Sequence, residues 1–302
     1  MMKNICKITC AVLLLLFTSS CIKSDYNAEN CPGLYTITPL VPEELKQGSR
    51  EVLTNANTSI LYPDKLWRKT EVGPDKMLEL TKGDYQAVSL KGENENVGLS
   101  GTVVTLTSDE TGLINDPSDF VGGYIDFNVE GGLVDWGIIN YDLPTYVQTR
   151  PLVIKVKTAG NNAALVSAIT ATVDGITLSR DLKDAFVEGG PQDRYAALKR
   201  GYVTYTLGEK DTDGYYTGAR RLLGLDANVK QNLALTVHYQ GGEENNRVLN
   251  FDITSDLSGF HTKDILKPWV IRITLSAGAD FSATIQDWAA GPEEWIDATP
   301  IQ

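Results

Sequence analysis

Apolar side chains recur at every second position along most of this chain, and that period constrains the fold more than any other feature. Ile125, Phe127 and Val129 alternate with Tyr124, Asp126 and Asn128. Leu152, Ile154 and Val156 alternate with Val153, Lys155 and Lys157, and Ile271, Ile273 and Leu275 with Arg272 and Thr274. A period of two sends successive side chains to opposite faces, so each set describes a half-buried strand. The clearest hairpin joins Leu233, Leu235, Val237 and Tyr239 to Leu249, Phe251 and Ile253 through Gly241-Gly242-Glu243-Glu244-Asn245-Asn246. Gly and Asn accept positive φ there at small cost. Further strands are predicted at Leu34–Leu40, Met77–Leu80, Tyr85–Leu90, Thr102–Thr107, Ala168–Val173, Tyr202–Leu207 and Ser282–Asp287. Helical pattern is confined to Arg180–Phe186 and Tyr195–Lys199, each enough for a turn or two.

The chain therefore reads as all-β, with more short strands than one small sandwich holds and enough for two. Its 302 residues suit two domains, at ~100–200 residues each. Pro144 and Pro151 bracket the best boundary, near Tyr146–Pro151, and a fresh strand starts at Leu152. This gives an N-terminal β-sandwich over 33–148 and a C-terminal one over 149–302.

The first residues have a different character. Lys3 and Lys7 precede Ala11–Phe17 (AVLLLLF), an apolar run too short to span a bilayer. Thr18, Ser19 and Ser20 then lead to Cys21. This order reads as a signal peptide over 1–20 whose small residues before a cysteine form a bacterial lipobox. Cys21 is the expected lipidation site, since its sulfur can carry a lipid and its freed amine an acyl chain, and two or more chains anchor stably. The alternative is an ordinary signal peptide with an incidental cysteine. Residues 21–32 are polar and read as a tether.

Removing the signal peptide leaves 25 basic against 39 acidic residues, a net charge of −14. Such a charge repels a phosphate backbone, which excludes nucleic acid as a partner. Of four cysteines, Cys6 and Cys10 leave with the signal and Cys21 is modified, so Cys31 alone remains and no intrachain disulfide is expected.

Catalytic patterns are missing. No Gly-x-Ser-x-Gly elbow, His-Glu-x-x-His helix or phosphate-binding glycine loop is present. The chain has two histidines. His238 alternates with an apolar strand face and is expected to point to solvent. His261 and Asp264 share a loop and read as a local pair rather than half of a triad. Asp211-Thr212-Asp213-Gly214 lacks the third oxygen ligand and closing Glu of a calcium loop and reads as a turn. The acidic loops Ser108–Glu110 and Asn115–Asp119 could hold a weak cation, and solvated turns explain them as well. Glu293 and Glu294 are adjacent, so on a strand they face opposite ways and cannot flank one glycosidic bond. No catalytic residue, metal or cofactor is expected.

Four stretches resemble the fimbrillin superfamily of Bacteroidetes. They are Cys21-Ile22-Lys23 with Cys31-Pro32; Leu80-Thr81-Lys82-Gly83-Asp84-Tyr85; Arg150-Pro151-Leu152-Val153-Ile154-Lys155-Val156; and Thr284-Ile285-Gln286-Asp287-Trp288. The resemblance runs along the whole mature chain. It implies two tandem transthyretin-like, Greek-key β-sandwich domains and a fimbrial anchor or accessory subunit. Such a subunit is tethered to the outer membrane and assembles with other fimbrial subunits by β-strand addition. In the family's shaft subunits a cut after an arginine of the first domain frees the first strand. Here Arg50, in Lys46-Gln47-Gly48-Ser49-Arg50-Glu51, stands where such processing could fall; the alternative is a surface loop. Trp288–Gln302 could serve as a donor strand or plug. The competing reading is a glycan-binding surface lipoprotein, which would require an exposed aromatic platform at Trp67, Trp136 or Trp295.

Overall fold

The computed structural model describes residues 32–45, 51–130, 138–183, 197–242, 245–276 and 282–290. The chain is all-β, as its period requires. In chain order the strands are β1 (Gly33–Leu40), β2 (Asn57–Leu61), β3 (Trp67–Lys69), β4 (Leu78–Leu80), β5 (Gly83–Lys91), β6 (Val97–Ser100), β7 (Val103–Leu106), β8 (Val121–Val129) and β9 (Ile139–Val147). After them come β10 (Arg150–Ala159), β11 (Val166–Asp181), β12 (Lys199–Leu207), β13 (Tyr215–Leu222), β14 (Asn232–Tyr239), β15 (Arg247–Asp252), β16 (Trp269–Ser276) and β17 (Ser282–Ala290).

A seven-stranded sheet runs β3-β2-β5-β8-β9-β1-β4. It folds over on itself because β9 changes partner part-way. Ile139–Pro144 run parallel to β1, whereas Thr145–Val147 pair antiparallel with the start of β8. The two ends of the sheet thereby share one core of Tyr35, Ile37, Ile60, Leu80, Tyr85, Ala87, Phe127, Val129 and Leu143. Aromatic rings fill its centre, with Phe127 4.6 Å from Tyr141 and 5.4 Å from Tyr85 between centroids. The change of partner brings β8 against the backbone of β9, and glycine permits the approach. A Cβ on Gly123 would lie 2.0 Å from the Pro144 carbonyl oxygen and 2.8 Å from Leu143 Cδ2. Gly123→Ala is expected to cost about 2–3 kcal/mol, because the obstacle is backbone and cannot swing away. Urea unfolding would read this as a lowered midpoint at unchanged slope.

The second half packs a four-stranded sheet, β13-β10-β16-β17, against a sheet centred on β11. β10 runs parallel to β16 over Leu152–Ala159, as β1 does to β9, so each half opens with a strand that pairs in parallel with a much later one. β11 is sixteen residues long. One of its edges is covered by β12; the other is shared by β14 up to Val173 and by β7 at Ser179–Asp181. The β6–β7 hairpin thus comes from the first half of the sequence and completes a sheet of the second.

The larger core follows the same plan. Val88, Leu90, Val104, Leu106, Ile114, Phe120 and Tyr124 join Leu152, Ile154, Ile169, Tyr205, Leu235, Trp269 and Ile271 in one cluster. The expected boundary at 148/149 falls between β9 and β10, and this core draws on both sides of it.

The helical expectation fails where it can be compared. Arg180 and Asp181 end β11, and Lys199 begins β12. Arg180 is 2% exposed, and its guanidinium donates to Gln148, so tertiary pairing overrides local pattern. Leu182, Lys183, Ala197 and Leu198 are not helical either, and the remaining positions of both segments, within 184–196, lie outside the described residues.

Candidate functional site

For a chain expected to assemble rather than catalyse, the relevant sites are strand seats and edges. The most elaborate is the seat of β1. Gly33–Tyr35 pair antiparallel with Leu78–Leu80 of β4, and Tyr35–Leu40 pair parallel with Ile139–Pro144 of β9. Both edges of the strand are therefore used. Tyr35 and Ile37 point into the core, 4% and 0% exposed, and Tyr35 stacks on Tyr141 at 6.0 Å. The other face carries a polar ladder. The hydroxyls of Thr36 and Thr38 donate to Asn140 Oδ1 at 2.9 and 2.7 Å, and Asn140 Nδ2 donates to Asp142 Oδ1 at 2.7 Å.

Past β1 the chain is pinned again. Val41 N–H donates to the Glu51 carbonyl at 3.0 Å and Leu53 N–H to the Pro39 carbonyl at 2.9 Å, so the segment that holds Arg50 leaves and returns at one place. Arg50 itself, and Cys21 and Cys31, lie outside the described residues.

Other edges are less protected. β3 and β4 end the seven-stranded sheet and are three residues each, too short to template another chain. β15 is a six-residue edge with Val248 58% exposed. Beside it lies an open polar hollow lined by Lys230, Asp252, Thr254, Ser255 and Ser258, with Lys230 Nζ 2.6 Å from Asp252 Oδ2.

Of the tryptophans considered for a platform, Trp67 is half-buried; it packs on the larger core, against Gly101. Trp136 and Trp295 lie outside the described residues, as do Glu293 and Glu294. A tryptophan that sequence reading passed over, Trp269, is 1% exposed, and its indole N–H donates to the Asp256 carbonyl at 2.9 Å.

The junction between the halves is held by polar groups. Arg150 opens β10 and is fully buried. Its guanidinium donates to the backbone carbonyls of Phe260, Asp264 and Lys267 and sits 4.9 Å from the centroid of Trp269. Gln148 Nε2 donates to the Gly122 carbonyl of β8, while its side-chain oxygen accepts from Arg180 of β11. Arg220 and Arg221 of β13 pair with Asp116 at 2.9 Å and Asp119 at 3.3 Å. The acidic loop Asn115–Asp119, read from sequence as a solvated turn, is therefore a clasp across the junction.

His261 belongs to the same region and is 4% exposed. Burial first, then the Arg180 and Arg150 guanidiniums, hold its imidazole well below the ordinary 6.5. It stays neutral in the fold but protonates in the unfolded chain near that value. Its contribution to stability is complete above about 6.5 and is lost as pH falls from there toward the folded value. Stability is thus expected to drop between pH 7 and pH 5, and His261→Gln should flatten the fall by up to ~1.4 kcal/mol per pH unit, read from urea midpoints. In the expected His261–Asp264 pairing, the Asp264 backbone carbonyl serves Arg150.

His238 is half-buried rather than solvent-facing, with Nε2 3.2 Å from Thr170 Oγ1. Asp211 behaves as a turn residue. Its Oδ1 accepts from the Tyr215 and Asp213 N–H groups, and the Tyr215 bond is the main reason its carboxyl lies below the ordinary value. Among the described residues, no group of three metal-ligating side chains stands close enough to hold an ion.

No family model matches the chain, nor does the sequence of any curated protein. Solved structures do. The fimbrial anchor protein Mfa2 of Porphyromonas gingivalis aligns at a TM-score of 0.58 and 10% identity, over 86% of this chain and 97% of that one. A protein provisionally assigned as an adhesin from Bacteroides ovatus gives 0.56 and 10% identity, over 87% and 96%. A protein provisionally assigned to polysaccharide binding from Bacteroides thetaiotaomicron gives 0.53 and 9% identity, over 87% and 99%. At these identities the likeness is one of fold, and that fold is shared with fimbrial and adhesin proteins of Bacteroidetes, in keeping with the resemblance drawn from sequence.

Proposed function

We propose that the chain is a non-catalytic cell-surface lipoprotein that serves as an anchor or accessory subunit of a fimbrium. Cys21 carries the lipid that holds it to the outer membrane, the residues to 32 form the tether, and other fimbrial subunits are its partners through strand addition. Its halves, 33–148 and 149–302, are tandem transthyretin-like sandwiches; the parallel pairing of the opening strand in each supports this. The observation that carries the reading is the fold match to the anchor Mfa2 over nearly the whole of both chains. The seating of β1 on two ladders supports a permanent anchor, since that strand lies next to the lipid-bearing end.

Mass spectrometry of the protein from its native membrane, with the N-terminus mapped, tests this. Lipidated Cys21 as the sole N-terminus is expected. A start at Glu51 would make Arg50 a processing site and the lipid only a means of delivery, replacing the anchor by a polymerising subunit. An unlipidated start near residue 21 would remove the membrane attachment.

A glycan-binding surface lipoprotein is the second reading, favoured by the likeness to the Bacteroides thetaiotaomicron protein and by the hollow beside β15. The inward packing of Trp67 counts against it. Retention on a glycan array that is lost in Lys230→Ala would favour it.

A further inference from the structure

The face of β1 that turns away from the core is selective. We propose that Asn140 determines which extended segment can occupy the slot between β9 and β4, by accepting hydrogen bonds from hydroxyls at two alternate outward positions. In the anchor reading β1 of the same chain fills this slot; the inference rests on the strand-addition reading above and gives the sequence requirement that β1, or any strand that replaces it, must meet.

An amide side chain can present either its oxygen or its nitrogen, and here a neighbour decides. Asp142 is two residues on, on the same face of β9, and its carboxylate only accepts. Asn140 Nδ2 donates to it at 2.7 Å, which leaves Oδ1 turned to β1. That one oxygen then takes two donors, Thr36 at 2.9 Å and Thr38 at 2.7 Å. The two threonines are 3% and 2% exposed, so hydroxyls placed there depend on Asn140 rather than on water for a partner.

Valine in place of either threonine has the right shape but no donor. Aspartate or glutamate there would set a carboxylate against an acceptor. On the inward face the slot asks for apolar groups, as Tyr35 and Ile37 supply. The matching segment thus alternates apolar and hydroxyl side chains over four residues, and its chemical class is an extended peptide with Ser or Thr at two successive outward positions.

The test uses the full chain with a specific protease site placed over residues 46–50. After cutting, a labelled synthetic peptide of the β1 sequence competes with the resident strand. The comparison peptide carries Thr36→Val and Thr38→Val. The threonine peptide should bind tighter by on the order of 10-fold per hydroxyl, about 100-fold for both. In Asn140→Ala the preference should shrink to a few-fold. Equal binding of the two peptides, or an unchanged preference in Asn140→Ala, would overturn the role of Asn140 while leaving strand addition intact.

If neither peptide enters, strand addition at this slot fails, and Asn140 is judged in the uncut chain. There the melting temperatures of Thr36→Val/Thr38→Val, Asn140→Ala and their combination should be strongly non-additive. Additive shifts would overturn the inference on their own. Asn140 is solvent-exposed on the outer face, so its alanine variant keeps the core untouched.

Discussion

Replacing Arg150 by methionine is expected to lower the stability of the whole chain by about 3–5 kcal/mol. One buried backbone carbonyl, of Phe260, and two part-buried ones, of Asp264 and Lys267, lose a charged donor, at ~1–3 kcal/mol for one left unsatisfied away from water, and water entry relieves part of the sum. The stacking on Trp269 is lost with them. At this chain length the melting temperature should fall by on the order of 10 °C. Arg150→Lys should recover only part, because an ammonium is a compact charge and cannot present the fork that reaches Phe260, Asp264 and Lys267 together. A calorimetric scan in which Arg150→Met melts with the wild type would mean that the loop from Phe260 to Lys267 is held by other contacts.

The second large effect concerns the join at 148/149. Residues 33–148 and 149–302, expressed separately, should each fail to give a cooperative melt, and mixing them should restore one. The first fragment would expose Val104, Leu106 and Ile114, which lie in the shared core; the second would lose β7 from the edge of β11. An unpaired edge above exposed apolar residues also predicts aggregation of both pieces. Sharp independent melting of either fragment, followed by circular dichroism, would show that the shared core is not required by that half.

Much of the framework was legible along the sequence. Strands with clean alternation, such as β8, β10, β14, β15 and β16, fall where the period puts them, and β14 and β15 pair antiparallel as the expected hairpin requires. β2, β3, β6, β9 and β13 escaped notice, and β9 and β13 carry local features of loops. β9 interrupts its alternation with Pro144, which sits where the strand changes partner. β13 holds Gly218 under Tyr205 and then two arginines that the clasp uses. In β11, Asp174-Gly175 looks like a turn, yet the strand continues through it with Gly175 at φ +70° and a shift of register. The sites were less legible for a different reason. Arg150 reaches carbonyls 110–117 residues away, and Thr36 meets Asn140 across 104 residues. No local pattern announces such partners.

That last separation has a consequence for the order of events during synthesis. β1 is the first of the described strands to leave the ribosome, but the ladder it needs on β9 exists only once Pro144 has emerged. Contacts across a hundred residues form late, because the loop entropy must be spent before they repay it. The earliest strand made thus completes its seat only after β2 to β8 and most of β9 have followed it. Until then Tyr35 and Ile37 lack the Leu143 side of their core, and β1 has only the short ladder to β4. Any factor that attends this chain before it is folded has to shield one short apolar strand for that interval.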